Sequence, residues 1–164
     1  MTEADDNLQD DQLKRLNYLI RRMHQAADAF YYDETAPITA DITPVQMAAL
    51  RAIQFRPGID QLRLANAIKL DRTTVAGVVL RLENKRLITR APAPHDRRSN
   101  LLSLTADGER LLVELLPAAD RAQRRMLAKL TPEQRRQFLD LMVSLVDQET
   151  PAGQKLGQKL AKTA

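Results

Sequence analysis

Between Thr43 and Thr105 the apolar residues switch from helical to extended spacing and back, with capping side chains near the switches. Thr43-Pro44 is a helix start: a hydroxyl that can accept the first free amides, then a proline whose missing N–H costs nothing there. The period carries that helix to about Phe55, where Arg56-Pro57-Gly58 closes it. Asp60–Ile68 predicts a short helix with Leu62, Leu64, Ala65 and Ile68 as its apolar set. Asp71 can cap the next helix, over 71–86, with Val75, Val78, Val79 and Leu82 on one face. Leu87–Arg90 and Leu101–Leu104 are β-prone and flank the tip APAPHDRRSN, too long for a two-residue turn. A short helix, a tight turn, a second helix and a projecting hairpin make a winged helix-turn-helix over residues 42–105.

The flanks predict long helices. Leu13, Leu16, Leu19, Ile20, Met23, Ala27 and Phe30 fall at helical spacing, giving a helix from about Asp10 within a helical region 10–35. Residues 1–9, acidic and without period, are expected to be disordered. A helix from Ala106 to about Leu130 contains Pro117, which should kink or interrupt it. Thr131-Pro132 starts another, with Phe138, Leu141, Met142, Leu145 and Val146 as its core face, so that 106–150 is helical. The basic segment 151–164 is expected to fray. The class is therefore mainly α with a small β-hairpin wing. The flanking helices carry more apolar surface than one winged domain covers, so regions 10–35 and 106–150 are expected to pair with a second copy as a homodimer.

Composition narrows the chemistry. There is no cysteine among the 164 residues, which excludes disulfides, thiolate zinc sites and a thiol redox switch. The two histidines, His24 and His95, lie far apart, so no metal or other cofactor is expected. No apolar run approaches a bilayer span and the acidic N-terminus is not a targeting signal, which favours the cytoplasm and no membrane partner. There is no phosphate-binding glycine loop or nucleophile elbow, so an enzyme is not expected. Five of the 21 acids sit within residues 1–11; the other 16 face all 25 bases. A basic body suits an anionic partner, although a merely soluble basic protein has the same totals.

The 71–86 helix supplies a surface for double-stranded DNA. Opposite its valine face lie Thr73, Ala76, Gly77, Leu80 and Asn84, flanked by Arg72 and Thr74: small, hydroxylic and basic, as a major groove requires. Gly77 weakens the helix by about 1 kcal/mol relative to alanine, which close approach to DNA or close helix packing would each explain. Arg63, Lys69, Arg81, Lys85 and Arg86 are candidate phosphate contacts, or ordinary surface charges. At the wing tip, Asp96 can brace Arg98 across the turn, and Arg97 and Arg98 suit a narrow minor groove. The alternative is an Asp-capped turn with solvated arginines.

The segment LDRTTVAGVVLRLENKRLITRAPAPHDRRSNLLSLTADGERLL, with Asp96, Arg98, Leu104 and Thr105 in the spacing of its wing motif, resembles the MarR family. TPVQMAALRAI and TPEQRRQFLDLM resemble its second and last helices, so the likeness covers about residues 12–147. The resemblance implies a dimer formed by the first and last two helices and a winged domain on each half of a palindromic operator. It also implies transcription regulation, usually repression released by a small molecule. It puts Arg98 in the minor groove, Asp96 behind it, and the 71–86 helix in the major groove. One departure is Lys85-Arg86, where a basic residue followed by glycine is commoner.

The family's pocket lies between the dimer helices and the winged domain. Tyr18, Arg21, His24 and Tyr31 from the first helix and Met47 and Arg51 from the second are the candidates to line it. YLIRRMHQ resembles a subgroup tied to aromatic-acid catabolism, which implies an aromatic carboxylate or its coenzyme A thioester as effector. For His24, Tyr31 and Met47 core packing is the competing role, and for Arg21 and Arg51 pairing with Asp28. The competing function is a protein–protein adaptor whose winged domain does not bind DNA.

Overall fold

The computed structural model describes residues 3–39, 41–93 and 96–146, with side chains for 15–39, 41–93 and 100–146. The chain divides into two compact units, residues 1–126 and 127–164. In the first unit the order is α1 (Glu3–Thr35), α2 (Pro44–Phe55), β1 (Ile59–Asp60), α3 (Gln61–Ala67), α4 (Arg72–Asn84), β2 (Ile88–Ala93), β3 (Asp96–Leu104) and α5 (Ala106–Met126). The second unit holds α6 (Pro132–Val146).

The helix starts follow the local signals. Thr43 and Gln46 form a reciprocal capping box on α2, Asp60 accepts from Arg63 N at 2.7 Å on α3, and Asp71 caps α4. On α5 the Thr105 hydroxyl accepts from Gly108 N at 3.0 Å. Thr131 and Gln134 repeat the capping box on α6. Each satisfies amides that have no partner inside the helix.

Two expectations about α1 and α5 need correction. The expected disordered segment 1–9 is not separate, because α1 begins at Glu3 rather than Asp10. No glycine or proline interrupts that stretch, and acids are favourable at the positive end of a helix. Of the two effects expected of Pro117, the interruption does not occur: α5 runs unbroken to Met126. The carbonyl that loses its partner belongs to Val113, which is 65% exposed, so water can replace the missing N–H. The expected tail 151–164 and the end of the 106–150 region lie outside the described residues.

The sheet has the order β1-β3-β2, both pairings antiparallel. β2 and β3 pair from Ile88↔Leu104 through Pro92↔Asn100, after which the register shifts so that Ala93 meets Asp96 in place of Ser99. The strands therefore run well into the segment expected to be an open tip. Pro92 is tolerated because β2 is an edge strand. The strand β1 was not anticipated. It is two residues long, held by Ile59↔Leu102 and by Gly58 N donating to Leu102 O at 2.9 Å.

The core of this unit joins Leu50 and Ile53 of α2, Leu64 of α3, Val75, Val79 and Leu82 of α4, Leu102 of β3, and Leu112 and Leu115 of α5, all fully buried. Each such side chain contributes about 1.5–3 kcal/mol of apolar burial. α1 joins this core chiefly through its C-terminal end, where Tyr31 and Thr35 are buried; Leu16, Leu19 and Ile20 are about half exposed. α6 by itself buries no residue, and Leu141 and Leu145 of its expected core face stand open.

The end of α4 explains the Lys85-Arg86 departure. Leu87 N donates to Leu82 O at 3.0 Å and Arg86 N to Glu83 O at 2.8 Å, the paired bonds of a Schellman closure. Arg86 takes the left-handed position, φ 58°, that glycine fills at lower cost. Arg86→Gly is expected to raise unfolding stability by about 1 kcal/mol. The check is a higher denaturant midpoint at an unchanged slope; a lower midpoint would contradict it.

Candidate nucleic-acid interface and adjoining cavity

α4 is exposed along one side and anchored on the other. Val75, Val78, Val79 and Leu82 are buried, while Arg72, Thr73, Ala76, Leu80, Arg81 and Asn84 are exposed, as their spacing predicts. The first turn is stiffened by Asp71, which accepts from Thr74 N at 2.9 Å and from the Thr74 hydroxyl at 2.6 Å. The Thr74 proton is thus committed to the cap, and its oxygen lone pairs are what it offers outward. These bonds, the hydroxyl first, hold the Asp71 carboxyl below the usual carboxylate range. Its folded-state pKa being depressed, the contribution of this cap is complete above about pH 4 and fades as pH falls through the lowered value.

Gly77 is not packed against another helix. A Cβ built there would stand 3.4 Å from Nη1 of Arg81, with the rest of that guanidinium just beyond. The bare backbone is a bed on which the Arg81 head lies, one turn ahead on the exposed face. Arg72, Thr73, Gly77 and Arg81 therefore share one outward surface with Lys69, which is exposed in the turn before α4 with φ 55°. Lys85 does not. Its ammonium is turned to the Asp41 carboxylate at 2.8 Å, to the Asp41 carbonyl and to Gln46 Oε1 at 3.4 Å. The expected phosphate role of Lys85 gives way to a structural one.

The hairpin is braced to α4 by Arg90 of β2, whose Nε donates to Glu83 Oε2 at 2.8 Å. Asp96, Arg97 and Arg98 belong to β3 by their backbone, on the far part of the hairpin; their side chains lie outside the described residues. At its base, Thr105 N donates to Leu87 O at 3.0 Å and the Thr105 hydroxyl to Arg86 O at 2.7 Å.

Between α1, α2, α5 and the end of α3 is a cavity of about 700 Å³. Its walls come from α1 (Ala27, Asp28, Tyr31), α2 (Pro44, Met47, Arg51, Phe55), the end of α3 (Ala67, Ile68) and α5 (Ala122, Gln123, Met126). Of the six candidate ligand residues, Tyr31, Met47 and Arg51 line it. Tyr18, Arg21 and His24 do not. Arg21 lies over the exposed Tyr18 ring at 5.5 Å, and His24, itself outside the wall, faces the wall residue Asp28 at 3.4 Å. The family resemblance offered all six from their two helices but did not show that residues 18–24 of α1 stand clear of the cavity wall. Phe55 at the end of α2 was missed, as were Gln123 and Met126, since α5 reaches the cavity only through the tertiary fold.

Tyr31 is the most constrained polar group in the wall. Its hydroxyl donates to the Ile42 carbonyl at 3.1 Å, and burial pushes its pKa up to about 12, with Tyr32 adding to the shift. Arg51 makes no hydrogen bond or ion pair among the described residues. Beside the cavity, Glu34 ties α1 to α5 through Arg121 at 2.7 Å and Arg125 at 2.8 Å. Those bonds, from Arg125 first and then Arg121, hold the Glu34 carboxyl below the usual range.

The two short helices, the antiparallel sheet and its long hairpin define a winged helix-turn-helix domain flanked by long helices. The MarR family model matches residues 40–99, the span from the loop before α2 into the wing. The transcriptional regulator HosA of Escherichia coli O111:H- is 34% identical over 107 residues, 65% of this chain and 79% of the relative. Among solved structures, the PcaV regulator of Streptomyces coelicolor with its natural ligand is 31% identical, with a TM-score of 0.77 over 82% of this chain and 94% of that one. BpsR of Bordetella bronchiseptica, whose DNA binding is regulated by 6-hydroxynicotinic acid, is 27% identical, with a TM-score of 0.73 over 81% and 99%. This chain belongs to the MarR family of transcriptional regulators.

Proposed function

We infer that the protein is a repressor that binds a palindromic operator as a homodimer and lets go when a small aromatic acid enters the cavity. The observation that carries this reading is the cavity's position: its wall includes the last turn of α3, immediately before the turn into α4. Arg51 offers a cation without a partner among the described residues, Tyr31 a phenol, and Met47, Phe55 and Ile68 apolar surface. That set suits a flat ring bearing a carboxylate. The free acid is favoured over a coenzyme A thioester, whose phosphates would call for more cations than Arg51 and Arg56 supply.

On α4, Arg72, Thr73, Thr74, Gly77 and Arg81 meet the major groove, while Asp96, Arg97 and Arg98 serve the wing in the minor groove. The homodimer is supported by the exposed apolar residues of α1 (Leu16, Leu19, Ile20) and, separately, of α6 (Leu141, Leu145, Val146). The working compartment is the one that holds the DNA, the cytoplasm.

The test is fluorescence anisotropy on a labelled duplex from upstream of the protein's own gene, with light scattering for mass. A dimer that binds this duplex, ignores a scrambled one and is released by 4-hydroxybenzoate or 6-hydroxynicotinate supports the reading. A monomer, or binding untouched by a broad panel of aromatic acids and their thioesters, contradicts it. Gly77→Ala separates fold from recognition. The helix is expected to gain up to about 1 kcal/mol; the new methyl meets the Arg81 head only at ordinary contact distance and leaves it in place, so a loss of operator binding of about tenfold, roughly the share of one good contact, would report a methyl crowded against the DNA. Unchanged affinity in that variant would show that the backbone at Gly77 does not closely approach the DNA.

A further inference from the structure

Both ends of α4 hang from walls of the cavity. At the first end, Ala67 and Ile68 line the cavity, and the next residues are the turn itself. Lys69 is left-handed, Leu70 N donates to Ala65 O at 3.0 Å, and Asp71 caps α4. Two residues, Lys69 and Leu70, therefore separate the cavity residue Ile68 from the α4 cap Asp71, and their backbone is held to α3 by that bond.

At the other end, Lys85 closes α4 and is only 23% exposed at its side chain. An ammonium has three donors, and all three here have partners on one neighbouring segment: the Asp41 carboxylate, the Asp41 carbonyl and Gln46 Oε1. Gln46 is also the capping-box residue of α2, whose Pro44 and Met47 line the cavity. Asp41 precedes Ile42, the residue whose carbonyl holds the hydroxyl of the cavity residue Tyr31.

We propose that Tyr31, the Asp41–Ile42 segment and Lys85 form a relay by which a carboxylate in the cavity, taking the Tyr31 hydroxyl from Ile42, re-aims the end of α4. The identity of the trigger rests on the ligand reading above; the mechanical link does not. Ile42 is 2% exposed, and a buried carbonyl without a donor is costly, so the segment moves to find another. Lys85 follows its three acceptors. Glu83 lies on the same turn and carries the shift to β2 through Arg90. The raised pKa of Tyr31 keeps its phenol a donor throughout the working pH range.

The first test needs neither DNA nor ligand. Tyr31→Phe keeps the ring and removes only the hydroxyl. Amide hydrogen exchange of the free full chain is expected to speed at least threefold across Leu82–Leu87. Thr35→Val, which removes a neighbouring buried hydroxyl bonded to Tyr31 O at 2.8 Å, is expected to leave that segment within twofold of wild type. Unchanged exchange in Tyr31→Phe overturns the relay, and so does equal acceleration in Thr35→Val, which would mean general loosening. The second test uses Lys85→Met with 4-hydroxybenzoate and 6-hydroxynicotinate. Wild-type operator affinity is expected to fall at least fivefold on addition of an effective acid, within the usual range of such coupling. The variant should fall less than twofold while binding the acid within threefold of wild type. A variant released as fully as wild type overturns the relay. If no acid releases wild type while Tyr31→Phe still loosens Leu82–Leu87, the ligand reading fails and the link from Tyr31 to α4 stands.

Discussion

Gly108→Ala is expected to cost about 3 kcal/mol of unfolding stability, in the upper range for a single methyl group. Gly108 sits in the first turn of α5 with an ordinary helical backbone, so propensity alone predicts a gain of up to about 1 kcal/mol from alanine. The expected sign is opposite because of what lies opposite. A Cβ at this position would be 2.1 Å from the Leu87 carbonyl oxygen and 3.0 Å from its carbon. Both are backbone atoms, and neither can turn aside. The same carbonyl accepts from Thr105 N at 3.0 Å, and Thr105 in turn bonds Arg86 O and Gly108 N. This knot joins the left-handed end of α4, the start of β2 and the start of α5. Making room for one methyl means opening it. At about 2–4 °C per kcal/mol for a chain of this size, the melting temperature should fall by about 6–12 °C. An alanine variant as stable as wild type would show that the two backbones are not in contact as described.

Operator affinity is expected to fall about a thousandfold between 50 and 200 mM salt. The estimate takes about six phosphates neutralised per dimer, a logarithmic slope near −5. Lys69, Arg72, Arg81 and Arg86 are exposed on or beside α4, and Arg97 and Arg98 lie on the far hairpin, so six per dimer is a modest demand. Anisotropy titrations at several salt concentrations measure the slope directly. Arg98→Ala should weaken operator binding about 10- to 100-fold, or 1–3 kcal/mol, and leave the dimer mass unchanged. The guanidinium it removes is the one proposed above for the minor groove, on the resemblance of Asp96-x-Arg98 to the family's wing motif. Weak binding that ignores sequence and changes little with salt would favour the adaptor alternative. Full-strength binding by the Arg98 variant would leave operator recognition to α4.

What could be read from the residues alone was local. Thr43, Asp71, Thr105 and Thr131 announced helix starts because a cap acts within three residues of itself. The valine face of α4 followed from a 3.6-residue period. Lys85-Arg86 was visible as a departure, because only a left-handed residue closes a helix that way. The family likeness rests on the same kind of short-range pattern.

What depended on distance could not be read. β1 is too short to have a period and exists because Leu102 offers it a partner. Gly108 looks like any helical glycine until the Leu87 carbonyl is set beside it. Lys85 was an ordinary surface cation until Asp41, 44 residues away, took its charge. Tyr18, Arg21 and His24 share a helix with Tyr31, and only the point at which α1 meets the core parts them from the cavity. Spacing along the chain determines which residues share a face; which face is covered, and by what, is decided by packing between segments far apart in sequence.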